Sequence, residues 1–499
     1  MKQLNFDLPQ RQSVIGIIVL FTDVFQNIIR AIIPLIAIWI FKFDQINKIY
    51  LSLATFALIA IISMIAYIQF INFTFYIDTK KNEFIINKGV FNKTKIAIQL
   101  DKIQQVNINQ SFIQKIIKVY SLDVDTAGSI NREVNIRAIS KQLADALKTK
   151  LLENELKIVE SISEIQKSES VIKISFLSLV KVGLTSKYAQ TFAVLLAFFA
   201  TIYENFNQWT QNNNDIENKI HSYINQTSTL FSASIFIFIF ILLFAILIIN
   251  LTRTIIKYFN FTIEKQQESL VLSYGLLNTR NTIIKPEKVQ IITLSRNFFQ
   301  RHLKVLDIKI KQASFGETEK QEKKSAIEIP GCSPSERDQI LKLLLSKIPK
   351  HHFVLLPNIR IIIAQTFKYI ILPIVILVLV INFSTLSNFN YLFIVPLYFI
   401  IAGLSIYFSF KNYKLFIGND QIVKQNGIWD VDKQIIEIHK IQAIRASQLF
   451  WHKKSDIGSI TLFTAGGNIT FRFTNFTQIK QLVNIWLYQV ESSQKSWNT

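Results

Sequence analysis

The stretch of sequence that decides the fold occurs three times in this chain, each time after a pair of long apolar segments. Copy 1 starts at Asn87-Lys88-Gly89-Val90, copy 2 at Ser273-Tyr274-Gly275-Leu276 and copy 3 at Gln425-Asn426-Gly427-Ile428. The three copies align without a gap as far as Ala127, Ala313 and Ala465. Equivalent residues are 186 positions apart between copies 1 and 2, and 152 between copies 2 and 3. A constant offset over this length indicates one supersecondary unit used three times.

The composition is that of a membrane protein with sizeable water-exposed parts. Half of the 499 residues are hydrophobic, while 18% are charged. The single cysteine, Cys332, excludes an internal disulfide. The six histidines are scattered, so we expect no metal site and no cofactor. Residues 1–11 lead into apolar sequence without a small-residue cleavage site, so we expect no cleaved signal peptide.

The apolar runs come in pairs and predict six transmembrane helices, because about 20 apolar residues span the hydrocarbon core. The predicted spans are Ile28–Phe43, Ile49–Phe70, Tyr188–Tyr203, Leu230–Leu251, Ile361–Ile381 and Tyr391–Phe410. Before the first span, Ser13–Ile29 contains Asp23 and is typical of an amphipathic helix in the membrane interface. Ile174–Ser186 has the same character before the third span. The limits of the first span stay open.

The charge distribution predicts the orientation. The three repeat-bearing segments are net basic, with +4 for residues 72–175, +9 for 252–360 and +5 for 411–499, whereas residues 204–228 carry −2. Lys and Arg near span ends favour the cytoplasmic side. We therefore expect a multi-pass protein of the bacterial inner (plasma) membrane, with both termini and all three repeats in the cytoplasm.

The net charge of +21 also indicates partners. Basic domains held beside an anionic leaflet gain about 1 kcal/mol per Lys or Arg near the surface, so we expect anionic membrane lipids as partners. Other membrane proteins are a further expectation. The basic residues are spread over three domains instead of forming one stripe, which argues against nucleic acid. The sequence leaves the oligomeric state open.

Within each copy the hydrophobic pattern has a period of two. Phe73, Phe75 and Ile77 alternate with polar residues, which is typical of a half-buried strand. A helix then closes each copy, and Ser333-Pro334-Ser335-Glu336 carries a capping-box serine, a proline and a glutamate in the expected order. Each copy is thus predicted to be a small barrel of six or seven strands with a C-terminal helix.

At this point the chain resembles the bacterial pleckstrin-homology-like (PH-like) membrane proteins of the YdbS/YdbT type. The resemblance rests on Asp101–Gln104 (DKIQ), Phe112–Lys115 (FIQK), Val124–Ser129 (VDTAGS), Gly183–Ser186 (GLTS) and the repeated order of hairpin and domain. It implies three PH-like barrels, each tethered by a transmembrane pair, and brings no catalytic residues. Copy 3 departs most, with Asp456-Ile457-Gly458 where copy 1 has Lys118-Val119-Tyr120.

The predicted fold class is therefore membrane α + β, with six transmembrane helices in three hairpins, each followed by a PH-like small β-barrel closed by a C-terminal helix. The predicted segments are 1–71 (interfacial helix and transmembrane hairpin 1), 72–160 (PH-like domain 1), 174–253 (interfacial helix and transmembrane hairpin 2), 254–350 (PH-like domain 2), 358–410 (transmembrane hairpin 3) and 411–492 (PH-like domain 3).

One local pattern is present in all three copies: an aromatic residue, a large apolar residue, a polar residue and a cation. The candidate contact residues for membrane or ligand are Phe112, Ile113, Lys115, Phe298, Phe299, Arg301, Phe450, Trp451 and Lys453. Exposed rings beside a cation suit the bilayer interface, where rings lie at headgroup level and the cation meets phosphate. The alternative is that each ring fills the mouth of its barrel while the cation is merely solvated.

Three function classes follow. We expect a non-enzymatic scaffold that binds lipid or protein, in envelope maintenance or stress protection. An enzyme acting on lipid-linked substrates is the alternative; Asp123 and Asp125 could form an acid/base pair, but Lys309 and Lys311 replace them in copy 2. A cluster of acids at the membrane face of one domain would favour it. A transporter is the third class, which the scarcity of ionisable residues inside the predicted spans disfavours.

Overall fold

A computed structural model describes most of the chain. The described residues are 6–40, 48–89, 92–100, 103–126, 134–156, 171–186, 228–266, 269–312, 326–345, 347–350, 352–383 and 391–492, with single residues between 188 and 204. They divide into two compact units. The first unit contains the residues up to 171 together with 261–284, and the second contains 172–260 and, in the main, the residues from 285 onward.

The helices of the described part of the chain are long apolar ones, shorter ones that close the copies, and short ones between strands or beside the apolar helices. They are α1 (Gly16–Ile40), α2 (Lys48–Asn72), α3 (Phe112–Ile116), α4 (Lys141–Leu156), α5 (Phe176–Thr185), α6 (Ser228–Tyr258), α7 (Phe298–His302), α8 (Pro334–Leu344), α9 (Arg360–Thr366), α10 (Leu372–Phe383), α11 (Tyr391–Asn412) and α12 (Phe476–Ser492). A π-helical turn, Phe367–Ile371, joins α9 to α10.

Within the described residues, each copy has seven strands. Copy 1 has β1 (Gln10–Arg11), β2 (Thr74–Asp78), β3 (Glu83–Lys88), β4 (Thr94–Gln99), β5 (Ile103–Gln110), β6 (Tyr120–Thr126) and β7 (Val134–Ile139). Copy 2 has β8 (Val171–Lys173), β9 (Thr262–Gln266), β10 (Ser269–Tyr274), β11 (Thr279–Ile284), β12 (Val289–Arg296), β13 (Leu306–Gln312) and β14 (Ile327–Cys332). Copy 3 has β15 (Phe353–Leu355), β16 (Lys414–Ile417), β17 (Gln421–Asn426), β18 (Val431–Glu437), β19 (Ala443–Ser447), β20 (Ile457–Thr464) and β21 (Gly467–Asn475).

The sheets do not follow the boundaries of the copies. The first unit contains the sheet β1-β2-β3-β4 and the consecutive strands β7-β6-β5-β11-β10-β9. The second unit contains the sheets β14-β13-β12-β18-β17-β16-β15 and β19-β20-β21. The last three strands of one copy (β5–β7 or β12–β14) therefore share a sheet with the first strands of the next copy. Copy 2 contributes to both units. The sequence predicts self-contained barrels, and this sharing of sheets is the main difference.

The repeat is visible in the backbone. Gly89, Gly275 and Gly427 have φ of 130°, 115° and 133°. A Cβ on Gly275 would lie 1.9 Å from the carbonyl oxygen of Asn278, so only glycine fits this turn between β10 and β11. Lys118, Lys304 and Asp456, also at equivalent positions, are all left-handed.

The cores consist of the inward faces of the strands and the closing helices. In copy 1, Phe75 and Phe84 are fully buried with Leu147 of α4. In copy 3, Ile479 and Trp486 place one face of α12 in the core, as the i, i+7 spacing of an amphipathic helix requires. The predicted cap at Ser333 is confirmed, because its side chain accepts a backbone hydrogen bond at the start of α8. Ser140 and Asn475 accept equivalent bonds at the starts of α4 and α12.

Four of the described helices are long and apolar enough to cross a membrane: Ser52–Asn72, Phe240–Tyr258, Arg360–Leu379 and Val395–Asn412. They correspond to four of the six predicted spans. The other two, Ile28–Phe43 and Tyr188–Tyr203, extend beyond the described residues and stay predictions.

The N-terminal part of α1 differs from an isolated interfacial helix. It continues without a break into the predicted first span, and its polar side chains are explained by packing. Asp23 forms an ion pair of 2.7 Å with Arg137 of β7, and Val19 packs with Val119 and Ala138. The amphipathic pattern therefore reflects docking of α1 on PH-like domain 1.

Candidate membrane-contact site

The aromatic–cation pattern lies at the same place in each copy, immediately after β5 in copy 1, β12 in copy 2 and β19 in copy 3. We name the three segments turn motif 1 (residues 112–115, in α3), turn motif 2 (residues 298–301, in α7) and turn motif 3 (residues 450–453, in a 3-10 helix). Each segment joins two antiparallel strands.

Capping boxes build the first two motifs. In turn motif 2, Gln300 N donates to Asn297 Oδ1 at 2.7 Å and Asn297 N donates to Gln300 Oε1 at 3.0 Å. Ser111 and Gln114 form the same pair in turn motif 1. The polar third residue of the motif is therefore buried and structural, which leaves its aromatic and cationic neighbours to face outward.

The rings at the start of each motif are exposed. Phe299 is 59% and Phe450 75% exposed, and Phe112, Phe298 and Trp451 are also exposed. Ile113 is half-buried, while Lys115, Arg301 and Lys453 are exposed. The rings therefore do not fill the mouths of the barrels. Clustered exposed apolar side chains are typical of a surface that binds a partner or a membrane.

Turn motif 1 contacts the next copy within the first unit. Phe112 N donates a 2.8 Å hydrogen bond to Oδ1 of Asn278, and Lys115 Nζ donates to the carbonyl oxygen of Leu276 at 3.1 Å. Both acceptors lie in the turn between β10 and β11. The cation of this motif thus helps to hold copy 2 in place.

Turn motif 2 is bound to the amphipathic helix α5. Asn297 Nδ2 donates a 2.6 Å hydrogen bond to the carbonyl oxygen of Thr185, at the end of this helix. Helix α5 packs on the end of α6, where a Cβ on Gly183 would lie 3.0 Å from Cα of Leu251. Leu251 belongs to the candidate span Phe240–Tyr258. These contacts place turn motif 2 near the end of a membrane helix.

Helix α5 also carries exposed apolar side chains. Phe176 is 57% and Leu177 63% exposed. Lys181, on the same helix, extends to within 3.5 Å of the carbonyl oxygen of Leu303, just after turn motif 2. Rings, aliphatic side chains and cations are thus combined on neighbouring elements of one surface, as at a membrane interface.

Turn motif 3 also lies close to a membrane helix. The rings of Phe450 and Trp451 pack edge to face with centroids 4.3 Å apart, and His452 packs on Phe473. The carbonyl oxygen of Phe473 accepts a hydrogen bond from the backbone of Asn358. Asn358 lies two residues before α9, the start of the candidate span Arg360–Leu379.

A polar cavity of about 190 Å³ lies beside turn motif 2, within the second unit. Its charged lining residues are Arg253, Lys257, Asp307, Lys309, Glu328 and Asp430. Three cations thus face three carboxylates, so the charges balance in number.

Two of these acids have defined structural contacts. Asp307 accepts hydrogen bonds from Gly331 N at 3.0 Å and from Gln300 Nε2 at 3.1 Å. Glu328 accepts from the Tyr258 hydroxyl at 2.7 Å and lies 3.3 Å from Lys257 Nζ. Both acids therefore hold structural elements around the cavity.

Burial affects the ionisation of two acids in the cavity. It raises the pKa of Asp307, a shift that the hydrogen bonds from Gly331 and Gln300 partly oppose. Burial and the nearby charge of Asp432 raise the pKa of Asp430. Carboxyl groups of this kind are found both in structural networks and at catalytic sites.

Asp123, one of the two aspartates considered for an acid/base pair in copy 1, has structural contacts. Asp123 is buried and accepts hydrogen bonds from the side-chain amides of Asn109, at 2.6 Å, and Asn135. These bonds join β5, β6 and β7. The side chain of Asp125 lies outside the described residues.

Sequence reasoning did not find that helix α5 and turn motif 2 belong to one surface. Both were identified separately, the first by its amphipathic pattern and the second by its repetition. The available signal is Asn297, a strong N-cap residue whose side-chain NH2 group can still donate to a second element.

Comparison with known proteins identifies the repeated unit. The model of the bacterial PH domain matches residues 24–155, 227–348 and 359–490. The UPF0699 transmembrane protein YdbT of Bacillus subtilis (strain 168) is 23% identical over 330 residues, which cover 63% of this chain and 64% of that protein. The match thus spans less than two thirds of the relative. The three family matches cover most of the chain, so it belongs to the bacterial PH domain family as a transmembrane protein with three copies of the domain.

Proposed function

We propose that the chain is a non-enzymatic membrane scaffold whose PH-like domains bind anionic lipid on the cytoplasmic face of the bacterial plasma membrane. The lipid contact consists of turn motif 2 and the neighbouring helix α5. Its ligand is the phosphate of an anionic headgroup together with the adjoining acyl region. The PH-like domains present the same surface to membrane proteins that assemble at that site.

The hydrogen bond between Asn297 and Thr185 is the observation that supports this proposal. It ties the exposed Phe298 and Phe299 to a helix that packs on the end of the span Phe240–Tyr258. The rings and Arg301 therefore lie where a membrane helix ends, and headgroup phosphates occur at that depth.

The energies suit a contact that adds to an existing anchor. A fully buried ring contributes about 1.5–3 kcal/mol, and a cation near an anionic surface about 1 kcal/mol. Turn motif 2 thus supplies several kcal/mol at most. The spans hold the protein in the bilayer, while the motif fixes how the domain lies against it.

Basic residues support the cytoplasmic orientation. Arg253, Lys257, Arg360 and Lys411 all lie at the domain-facing ends of the described candidate spans. Lys and Arg at such positions are typical of the cytoplasmic side.

Fluorescence of a labelled residue tests the contact. Phe299→Cys is labelled with an environment-sensitive dye in the full-length protein in nanodiscs. The only native thiol, Cys332, is fully buried and has a raised pKa, so the label is selective. We expect a blue shift in discs that contain phosphatidylglycerol, and a smaller one in phosphatidylcholine alone.

Lys342→Cys is the matched control, because Lys342 is an exposed residue on α8 of the same copy. Its label should report water in both lipids. Equal emission from positions 299 and 342 in anionic discs would contradict the proposed contact.

An enzyme acting on lipid-linked substrates is the second candidate, and the polar cavity beside turn motif 2, which Asp307 lines, favours it. Asp307 is replaced by Ser121 in copy 1 and by Ser459 in copy 3, so the acid is specific to copy 2. Mass spectrometry of lipids from cells that express the wild-type chain or Asp307→Asn separates the two candidates. A lipid that changes only with the wild type would favour the enzyme.

A further inference from the structure

The copies of the PH-like domain are joined through strand edges, and the chain uses the same joint twice. In the first junction, β5 pairs with β11, with Gln110 opposite Thr279 and Asn109 opposite Arg280. In the second junction, β12 pairs with β18, with Arg296 opposite Val431 and Ser295 opposite Asp432. These positions are equivalent in the repeat. The two junctions therefore share one antiparallel register.

Side chains reinforce each joint. At the first junction, turn motif 1 donates to the turn between β10 and β11 through Phe112 N and Lys115 Nζ. At the second, Ser295 Oγ donates a 2.6 Å hydrogen bond to Asp432 Oδ1. The contact thus includes the strand edge and the segments next to it.

Each joint uses one strand like β5 or β12 and one strand like β11 or β18. Two joints among three copies therefore leave one strand of each kind outside a joint. Within the part of the chain that the structure describes, β4 is the last strand of its sheet after β3, and β19 is the last strand of its sheet before β20. Strand β4 corresponds to β11 and β18, and β19 to β5 and β12. Four of the five residues of β19 are exposed, whereas the equivalent residues of β12, 291–295, are buried or half-buried.

We propose that β19 of one molecule pairs with β4 of a second copy of this chain, in the register of the internal junctions. That register places Ser447 opposite Thr94, Ala446 opposite Lys95 and Ile444 opposite Ala97. Asn92 is the equivalent of Asn278, which accepts a hydrogen bond from turn motif 1 at the first junction. The same register therefore brings Asn92 of one molecule within reach of turn motif 3 of the other. The joint is main-chain pairing of edge strands, which supplies affinity without a deep pocket.

A charged edge strand often protects a sheet from pairing, and Lys95 is exposed on β4. Its equivalent in the second junction is Lys433, which nevertheless pairs with Leu294. A lysine at this position is therefore compatible with the joint, and Lys95 does not mark β4 as a blocked edge.

A second copy is the occupant that the chain itself specifies, because one molecule carries both edges and has already paired their equivalents twice. The contact is heterologous, so repeated pairing closes a ring or extends a chain of molecules, depending on the rotation at each joint. This inference does not depend on lipid binding.

Cysteine crosslinking between differently tagged full-length proteins tests the joint. One protein carries Lys95→Cys and the other Ala446→Cys, and both carry Cys332→Ala. Residues opposite one another in antiparallel strands have Cβ atoms about 4.5–5.5 Å apart, which is close to the separation in disulfides. After mild oxidation in native membranes, we expect a covalent dimer that contains both tags.

Two controls show whether the joint can be trapped and whether crosslinking depends on the register. Leu294→Cys with Lys433→Cys in one chain should form an internal disulfide and shows that the joint can be trapped. Lys95→Cys with Ala443→Cys is three residues out of register, about 10 Å along the strand, and should give at least several-fold less dimer. Equal yields from the two pairs would overturn the proposed register.

Three other results would also overturn the proposal. The first is a trapped internal pair without any mixed dimer. The second is crosslinking of positions 95 and 446 within one molecule when both cysteines share a chain. The third is capture of a different membrane protein at either cysteine in place of the second copy.

A variant without cysteines gives a separate measurement. Ala446→Lys places a cation directly opposite Lys95, and like charges directly opposite each other in a strand pair are destabilising. Ile444→Lys, opposite Ala97, adds a second cation on the same edge. The mass of the purified complex, measured by light scattering with the detergent subtracted, should fall to that of a single chain. An unchanged mass with unchanged thermal stability would exclude this edge as the joint.

Discussion

The side-chain amide of Asn297 joins two elements that the sequence presents separately. Its Oδ1 accepts from Gln300 N at 2.7 Å and caps α7, while its Nδ2 donates to the carbonyl oxygen of Thr185 at 2.6 Å. An asparagine can do both because its amide has an acceptor and two donors. The equivalent residue in copy 1, Ser111, caps α3 in the same way.

Asn297→Ala should lower stability and release turn motif 2 from α5. Loss of an N-cap costs about 0.5–2 kcal/mol, and loss of a hydrogen bond about 0.5–1.5 kcal/mol. The midpoint of thermal unfolding of the detergent-purified chain measures the effect. Asn297→Ser retains a cap but lacks the amide donor, so it should recover only the first contribution. Full recovery by serine would show that the bond to Thr185 contributes nothing.

Gly275→Ala should destabilise the turn between β10 and β11. A left-handed residue other than glycine costs about 1–3 kcal/mol, and the new Cβ would also meet the carbonyl oxygen of Asn278 at 1.9 Å. We expect the thermal midpoint to fall. Gly403→Ala is the control, since no atom lies within 4 Å of a Cβ built there. A similar fall for both variants would contradict this explanation.

The sequence predicts the local features well because they depend on neighbouring residues. The turn at Gly275, the capping box at Ser333 and the buried face of α12 all follow from short-range patterns. The joint between β12 and β18 could not be predicted in this way. It pairs residues more than a hundred positions apart, and its register depends on main-chain edges that have no residue signature.

For the candidate site as well, the sequence predicts the local motif but not its long-range contact. The repetition of Phe298 to Arg301 identified the turn motif, but not whether its rings face the core or the surface. The buried Gln300 decides this, because it fills the inside of the turn and caps it. The contact with Thr185 could not be predicted, since it depends on how α5 packs against α6.

Labelling of single cysteines should show that position 93 faces the cytoplasm and position 388 the opposite side. The prediction rests on the basic residues at the domain-facing ends of the spans. An impermeant thiol reagent added to intact cells should label Asn388→Cys, while Lys93→Cys should react only after permeabilisation. Asn388 lies outside the described residues. The reverse pattern would invert the proposed topology.

Asp307 should make the stability of copy 2 depend on pH. Burial raises its pKa in the folded state, so the folded protein binds more protons than the unfolded chain from about pH 4 up to that raised value. Stability should therefore fall as pH rises through this interval. Thermal midpoints measured across the interval should show a smaller slope for Asp307→Asn. The same slope in both proteins would assign the dependence to other groups.

The final prediction concerns the anionic-lipid contact of turn motif 2. Phe299→Ser with Arg301→Glu should weaken the approach of this surface to anionic lipid. The change removes one ring, worth about 1.5–3 kcal/mol when fully buried, and one cation, worth about 1 kcal/mol. The measurement is energy transfer from a dye at an introduced cysteine, Phe176→Cys on α5, to labelled phosphatidylglycerol in nanodiscs.

Salt separates the electrostatic part of this effect. Raising ionic strength from 0.1 M to 1 M shortens the screening length from about 10 Å to about 3 Å, so energy transfer in the parent protein should fall with salt and that in the double variant should change less. The control variant is Lys342→Glu alone, which changes the net charge by the same amount as Arg301→Glu but at an exposed site on α8. Its energy transfer should fall with salt as in the parent protein. If Lys342→Glu lowers transfer as much as the double variant, the lipid attraction belongs to the basic surface as a whole and turn motif 2 has no special part in it.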